Sequence, residues 1–178
     1  MFPLSTINFK QWIEENRHLL KPPVGNRQIW VGEDRDFMVT VVGGPNARKD
    51  FHVDHSEEFF YQIEGDMVLR VVENGKIRDL EIKEGEIFLL PPLVPHSPQR
   101  KANTIGLVIE RKRRTEELDG LQWYCESCHH LVYEEYFYLT DLTPQLQPVF
   151  EKFYGDETLR TCKHCGAIIE PPAMYQKN

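Results

Sequence analysis

Cysteine is absent from residues 1–124, so any thiol chemistry is confined to the last third of the chain. No stretch is long and apolar enough to cross a membrane. The N-terminus MFPLSTINFKQW lacks the basic-then-apolar order of a secretory signal, which reads as an intracellular, cytoplasmic chain. Positive charge is also short, with 21 Lys and Arg against 28 Asp and Glu and a net charge of −7. That balance weighs against nonspecific nucleic-acid binding, and no recognition-helix pattern occurs. The basic run Arg111-Lys112-Arg113-Arg114 is local and reads as a solvated face. There is no repeat of fixed period and no low-complexity segment. What is present is an ordinary soluble composition, 40% hydrophobic and 28% charged over 178 residues. That size suits one domain, or one domain with a small appendage.

The periodicity changes along the chain. Phe9, Trp12, Ile13, Asn16 and Leu20 follow helical spacing, and Asn8 with Gln11 three residues on resembles a capping box. Lys21-Pro22-Pro23 ends that helix, because proline has no amide donor and restricts the residue before it. From residue 28 the period is two. Ile29–Val31, Phe37–Val42, Phe59–Ile63, Met67–Val72, Leu80–Ile82, Ile87–Leu90 and Thr104–Ile109 read as strands. Asn74-Gly75 predicts a hairpin, since both residues accept the positive φ such a turn needs. Many short strands with Gly/Pro punctuation predict a mainly β sandwich or barrel, whose closure would protect edges as apolar as Met67–Val72. After Glu110 the character shifts. A charge run leads to an aromatic strand, Val132–Leu139, and to a helix from Pro144 to Tyr154. The boundary falls near residue 115, giving a barrel with its N-terminal helix over 1–114 and an extension over 115–178. A tail of about 60 residues needs a staple, and a metal would supply one.

Two stretches carry candidate metal chemistry. In GPNARKDFHVDHSEEFFYQIEG, His52 lies six residues before Glu58, and six residues separate Glu58 from Gly65. In GEIFLLPPLVPH, Gly85, Pro91 and His96 repeat a second fixed spacing. His52, Glu58 and His96 would form a facial set of two imidazoles and one carboxylate, which leaves the opposite positions of an Fe(II) open. The same ligands also accept Mn, Ni or Zn. His55 reads as a surface residue, and Glu57 as the solvent-side neighbour of Glu58, because adjacent strand residues point to opposite faces. Arg48 and Arg100 stand four residues outside the first and last ligands, and paired guanidiniums suit a substrate carboxylate. Glu110 ends an apolar run; turned inward it would accept a proton, and turned outward it would pair with Arg111 or Arg113.

The second candidate is Cys125-x-x-Cys128 with Cys162-x-x-Cys165. Two such loops complete a tetrahedral four-sulfur shell for Zn or Fe, closed and therefore structural. Gly166 permits the tight loop of a rubredoxin-like knuckle, and His129, His130 and His164 stay outside the shell.

The two spacings around His52, Glu58 and His96 are similar to the motifs of the cupin superfamily, double-stranded β-helix (jelly-roll) barrels with a metal inside. The histidine pair departs from the usual His-x-His, since here it reads His52-Val53-Asp54-His55. NARKDFHVDHSEEFFYQIEGDM, PPLVPHSPQR and GLVIERKR together resemble the 3-hydroxyanthranilate 3,4-dioxygenase family, over nearly the whole chain. The resemblance implies His52, Glu58 and His96 as iron ligands, with Arg48 and Arg100 on the substrate carboxylate and Glu110, beside Glu58, on its amino or hydroxyl group. It also implies oxidative ring opening of 3-hydroxyanthranilate by O2 to 2-amino-3-carboxymuconate semialdehyde. That product cyclises unaided to quinolinate on the kynurenine route to NAD. The four cysteines place the chain with bacterial- and fungal-type members, which carry the extra site away from the chemistry and are homodimers. Two other readings are a cupin dioxygenase of a different reaction and a noncatalytic ligand-binding cupin.

Overall fold

A computed structural model describes residues 4–22, 25–32, 35–46, 48–139, 142–172 and 175. Helix α1 (Phe9–Asn16) is followed by one 3-10 turn, Arg17–Leu19. The Asn8 side chain accepts the Gln11 N–H at 3.1 Å, but the Gln11 side chain bonds Glu15 instead of returning to Asn8. Only half of the predicted capping box therefore forms. Ile13 and Leu20 are buried against Val41 and Ile105, so the helix lies across the outside of a sheet. Pro23 of the stop signal lies outside the described residues.

Eleven strands follow among the described residues: β1 (Asn26–Gln28), β2 (Phe37–Gly43), β3 (Asp50–Val53), β4 (Glu58–Glu64), β5 (Met67–Glu73) and β6 (Lys76–Ile82), then β7 (Ile87–Leu90), β8 (His96–Arg100), β9 (Ile105–Arg111), β10 (Asp119–Tyr124) and β11 (Leu131–Phe137). They form two antiparallel sheets, ordered β1-β2-β9-β4-β7 and β11-β10-β3-β8-β5-β6. Strands 2–9 supply four to each sheet, interleaved in the order of a jelly roll. The mainly β barrel with an N-terminal helix is thus as expected. The β5–β6 hairpin turns at Asn74 (φ 52°) and Gly75 (φ 72°), the left-handed pair the sequence predicts. Met67–Val72 sits between β8 and β6, and so is no edge.

One strand was misplaced by its apolar residues. The pairing with β2 is made by Asn26–Gln28, whereas Trp30 and Val31 are 43% and 77% exposed. Hydrophobicity there does not report burial, and the chain bends away after Ile29 donates to the Val39 carbonyl.

The barrel core is Phe60, Met67, Leu69, Val71, Ile82, Leu90 and Val108. Beyond residue 114 the chain adds β10 and β11 to the sheet that holds β3, with Leu121 opposite His52. Helix α2 (Leu142–Gly155) and the short α3 (Glu157–Arg160) follow. Trp123 of β10 is fully buried and stacks on Phe153 of α2 at 4.2 Å between ring centroids. Burying such aromatic pairs adds a large apolar contribution to so small a segment.

Candidate active site

The three predicted ligands come from three strands and meet inside the barrel. His52 (β3) and His96 (β8) are directly opposite in register, and Glu58 reaches them from β4 of the other sheet. Alternation buries Glu58, Phe60 and Gln62 on one face of β4 and leaves Glu57 exposed before the strand begins. His55 is exposed as well. Glu58 Oε1 lies 3.1 Å from His96 Nε2 and 3.7 Å from His52 Nδ1.

The opposite nitrogen of each ring is already engaged. His52 Nε2 is 2.6 Å from Asp119 Oδ2, and His96 Nδ1 is 3.0 Å from the Val94 carbonyl. Those partners occupy the outer nitrogen of each ring and leave His52 Nδ1 and His96 Nε2 facing Glu58, the atoms each ring could offer a metal in place of a proton. Burial alone would disfavour charge on His52, but Asp119 and Glu58 outweigh it and pull its pKa up to about 10. Burial likewise works against Glu58 as an anion, yet His96 and His52 hold its carboxyl well below the usual range. Two imidazoles and a carboxylate whose ligand atoms lie within 4.8 Å of one another are a donor set suited to a divalent cation.

A cavity of about 480 Å³ opens onto this cluster, and Arg48, Arg100 and Glu110 line it with the three candidate ligands. Arg100 is 5% exposed, donates to Gln62 Oε1 at 2.8 Å, and leaves Nε without a partner. No carboxylate pairs with it among the described residues, and burial alone brings its pKa down to about 10. Gly106 makes room for this guanidinium, since a Cβ there would lie 2.6 Å from Arg100 Nη1. Arg48 differs, because its side chain is held by Asp50.

Glu110 is buried rather than a surface partner. It sits opposite Glu58 in the β4–β9 register, and burial, aided by the Glu58 charge, pushes its pKa up to about 7. The expectation of a solvated basic face fails at Arg113, whose side chain is 5% exposed. Three carboxylates, those of Asp54, Glu110 and Asp119, surround its guanidinium and offset the cost of burying it.

Sequence reading missed the far wall of the cavity. Leu146, Phe150 and Tyr154, one stripe of α2, and Tyr175 close that side. Tyr154 also accepts a 3.3 Å hydrogen bond from Trp123 Nε1. The helical stripe was legible, but nothing in a stripe names the surface it covers. Asp119 was missed too, for it is 67 residues from His52.

The four cysteines converge as expected. Cys125 and Cys165 sulfurs are 3.5 Å apart, Cys128 and Cys162 sulfurs 3.6 Å, and all four are free thiols. A tetrahedral metal with bonds of about 2.3 Å has edges of about 3.8 Å, so the spacing suits one ion. Gly166 (φ 76°) donates to the Cys162 carbonyl, and His129 (φ 61°) does the same for Cys125. The first knuckle thus uses a histidine where the second uses glycine. His130 and His164 stack across the two loops at 3.7 Å.

Known proteins resemble the chain over nearly its whole length. The family model described as 3-hydroxyanthranilic acid dioxygenase matches residues 1–154. The chain is 54% identical over 169 residues to the 3-hydroxyanthranilate 3,4-dioxygenase of Xanthomonas euvesicatoria, covering 95% of this chain and 94% of that one. It is 53% identical over 181 residues to the enzyme of that name from Ruegeria pomeroyi, covering 99% of each. Among solved structures, a cupin-2 domain protein from Shewanella frigidimarina aligns with TM-score 0.44 and 22% identity, over 60% of this chain and 95% of that one. The chain belongs to the 3-hydroxyanthranilic acid dioxygenase family.

Proposed function

We propose that the chain opens the ring of 3-hydroxyanthranilate with O2, giving 2-amino-3-carboxymuconate semialdehyde, the precursor that cyclises to quinolinate for NAD synthesis. The observation that carries this reading is the pairing, in one cavity, of a two-histidine, one-carboxylate cluster with a buried guanidinium that has no carboxylate partner among the described residues. His52, Glu58 and His96 would hold Fe(II), which when bound supplies the open positions where substrate and dioxygen meet.

The remaining work belongs to side chains. Arg100 and Arg48 grip the substrate carboxylate, and the gain is largest at Arg100, whose burial is otherwise uncompensated. Glu110, with a carboxyl near neutrality, accepts the proton lost by the substrate hydroxyl or amine. The apolar wall of Leu146 and Phe150 lies against the aromatic ring and displaces water from it. Orientation of a planar acid by two guanidiniums is the protein's main contribution to rate.

We also propose a division of labour near residue 115. Residues 1–114 supply His52, Glu58, His96, Arg48, Arg100 and Glu110, whereas 115–178 close the cavity wall, hold His52 through Asp119, and carry Zn or Fe on Cys125, Cys128, Cys162 and Cys165 as a structural staple. The enzyme is proposed to act as a cytoplasmic homodimer; among the described residues no helix is long and apolar enough to cross a membrane.

The test is anaerobic reconstitution with Fe(II), then addition of 3-hydroxyanthranilate and air while following the ring-opened product's absorbance. Oxygen uptake is measured in parallel with catechol and with cysteine. Product formed from 3-hydroxyanthranilate alone supports the reading, and uptake with catechol or cysteine but not with it refutes the reading.

A further inference from the structure

Arg113 is the most heavily engaged side chain near the cluster, although its sequence context is a run of surface cations. Its Nε lies 2.9 and 3.1 Å from the two oxygens of Asp119, and Nη2 adds a 2.8 Å bond to Asp119 Oδ2. Nη2 also reaches Asp54 Oδ2 at 3.1 Å, and Nη1 reaches Glu110 Oε2 at 2.5 Å. Each of these acids has a second task. Asp119 fixes His52. Asp54 Oδ1 accepts the Ser56 N–H at 2.7 Å and the Ser56 hydroxyl at 3.2 Å, shaping the turn that leads into Glu58. Glu110 lines the cavity.

We propose that Arg113 is a positioning residue: its single planar fork sets Glu110 toward the substrate and, through Asp119 and Asp54, sets His52 and the approach to Glu58. The Glu110 arm rests on the function proposed above, whereas the His52 arm needs only a cation-binding cluster. A guanidinium is required because three carboxylates engage its Nε, Nη1 and Nη2 at once. An ammonium on a flexible stem offers the charge without that fork. A residue serving only as a buried ion pair would add stability without linking these side chains.

The test uses the full chain with its four-cysteine site loaded. Arg113→Lys is made alone and in the Glu110→Gln and Asp119→Asn backgrounds, with two readouts. In the first, Co(II) is titrated into the barrel site without turnover. Arg113→Lys weakens binding about 10-fold or more, in the range for loss of a partner behind a metal-bound histidine, and less than about 3-fold once Asp119 is Asn. In the second, steady-state kinetics with Fe(II) give a kcat lowered about 10-fold or more with KM within about 3-fold, and little further loss once Glu110 is Gln. Independent, additive losses in both cycles overturn the proposal, as does a lysine variant with wild-type Co(II) affinity and kcat. If Arg113→Lys does not fold, Arg113→Gln takes its place in both cycles: Co(II) affinity lowered about 10-fold or more, and less than about 3-fold once Asp119 is Asn, upholds the link, and unchanged affinity or an additive loss breaks it. Should the wild type fail to turn over 3-hydroxyanthranilate, the function falls and the Co(II) cycle still judges Arg113.

Discussion

Arg100 enters the barrel with the Gln62 amide and, among the described residues, no anion beside it, so its truncation removes a charge that those residues do not pair. Hydrogen bonds to charged groups contribute roughly 1.5–3 kcal/mol each. Arg100→Ala is therefore expected to raise KM about 100-fold while the barrel metal stays bound, as steady-state kinetics and metal analysis would read it. Metal lost from that variant would contradict the assignment. Gly106 offers a gentler version of the same test. A methyl there meets Arg100 Nη1 at 2.6 Å and Gln62 Oε1 at 2.8 Å, both ends of movable side chains. We expect Gly106→Ala to fold with a melting temperature within about 3 °C of wild type and KM raised several-fold, for about 1 kcal/mol of lost grip. A normal KM would show that the guanidinium is not held where the substrate needs it. At this scale the clustering of His52, Glu58 and His96 was legible because the first two lie in one short motif and the third in another. Asp119 and Arg113 were not, since local pattern cannot report a partner 67 residues away or the burial of one cation within a cationic run.

Local elements follow their turn and cap chemistry where those signals are strong, as at Asn74-Gly75, and miss where hydrophobicity alone was used, as at Trp30 and Val31. The segment joining β9 to β10 adds a pH-dependent element. Glu117 receives both Arg111 terminal nitrogens at 2.6 Å and the Arg114 N–H at 2.8 Å. Arg111 foremost holds its carboxyl down to about 2, against 4.5 when unperturbed. The stabilisation is therefore complete above pH 4.5 and is lost as pH falls toward 2, because the unfolded chain takes up the proton first. With Arg111 partly solvated, about 1 kcal/mol is a reasonable share. Glu117→Gln should lower stability by that amount at pH 7 in urea unfolding, and the gap from wild type should close by pH 2–3. A gap that stayed constant with pH would exclude the ion pair as its source.

Taken whole, the molecule joins the cysteine centre to the reacting cavity through α2. Cys162 follows α2 and α3, Cys125 follows β10, and Trp123 and Phe153 pack between them. Cys162→Ser should lower the melting temperature by about 5 °C or more, for a loss of about 2 kcal/mol. KM should rise with it, because Leu146, Phe150 and Tyr154 lose their backing, while the barrel metal is retained. Unchanged thermal stability would refute the structural role of the four sulfurs. The jelly roll was readable from period-two runs and turns, whereas the wall over the cavity was not, because an apolar helix stripe specifies burial without specifying a partner.

Strand β10 has Asp119 as its first residue and ends one position before Cys125. Six residues of strand span about 20 Å, with neighbours facing opposite ways. One inserted or deleted residue between those positions would turn either the acid or the thiol through half a rotation. An even step would keep both facing the same way but carry one centre away from its mates by nearly 7 Å, about two residues of rise. Its length is thus a ruler set between the histidine–carboxylate cluster and the four sulfurs.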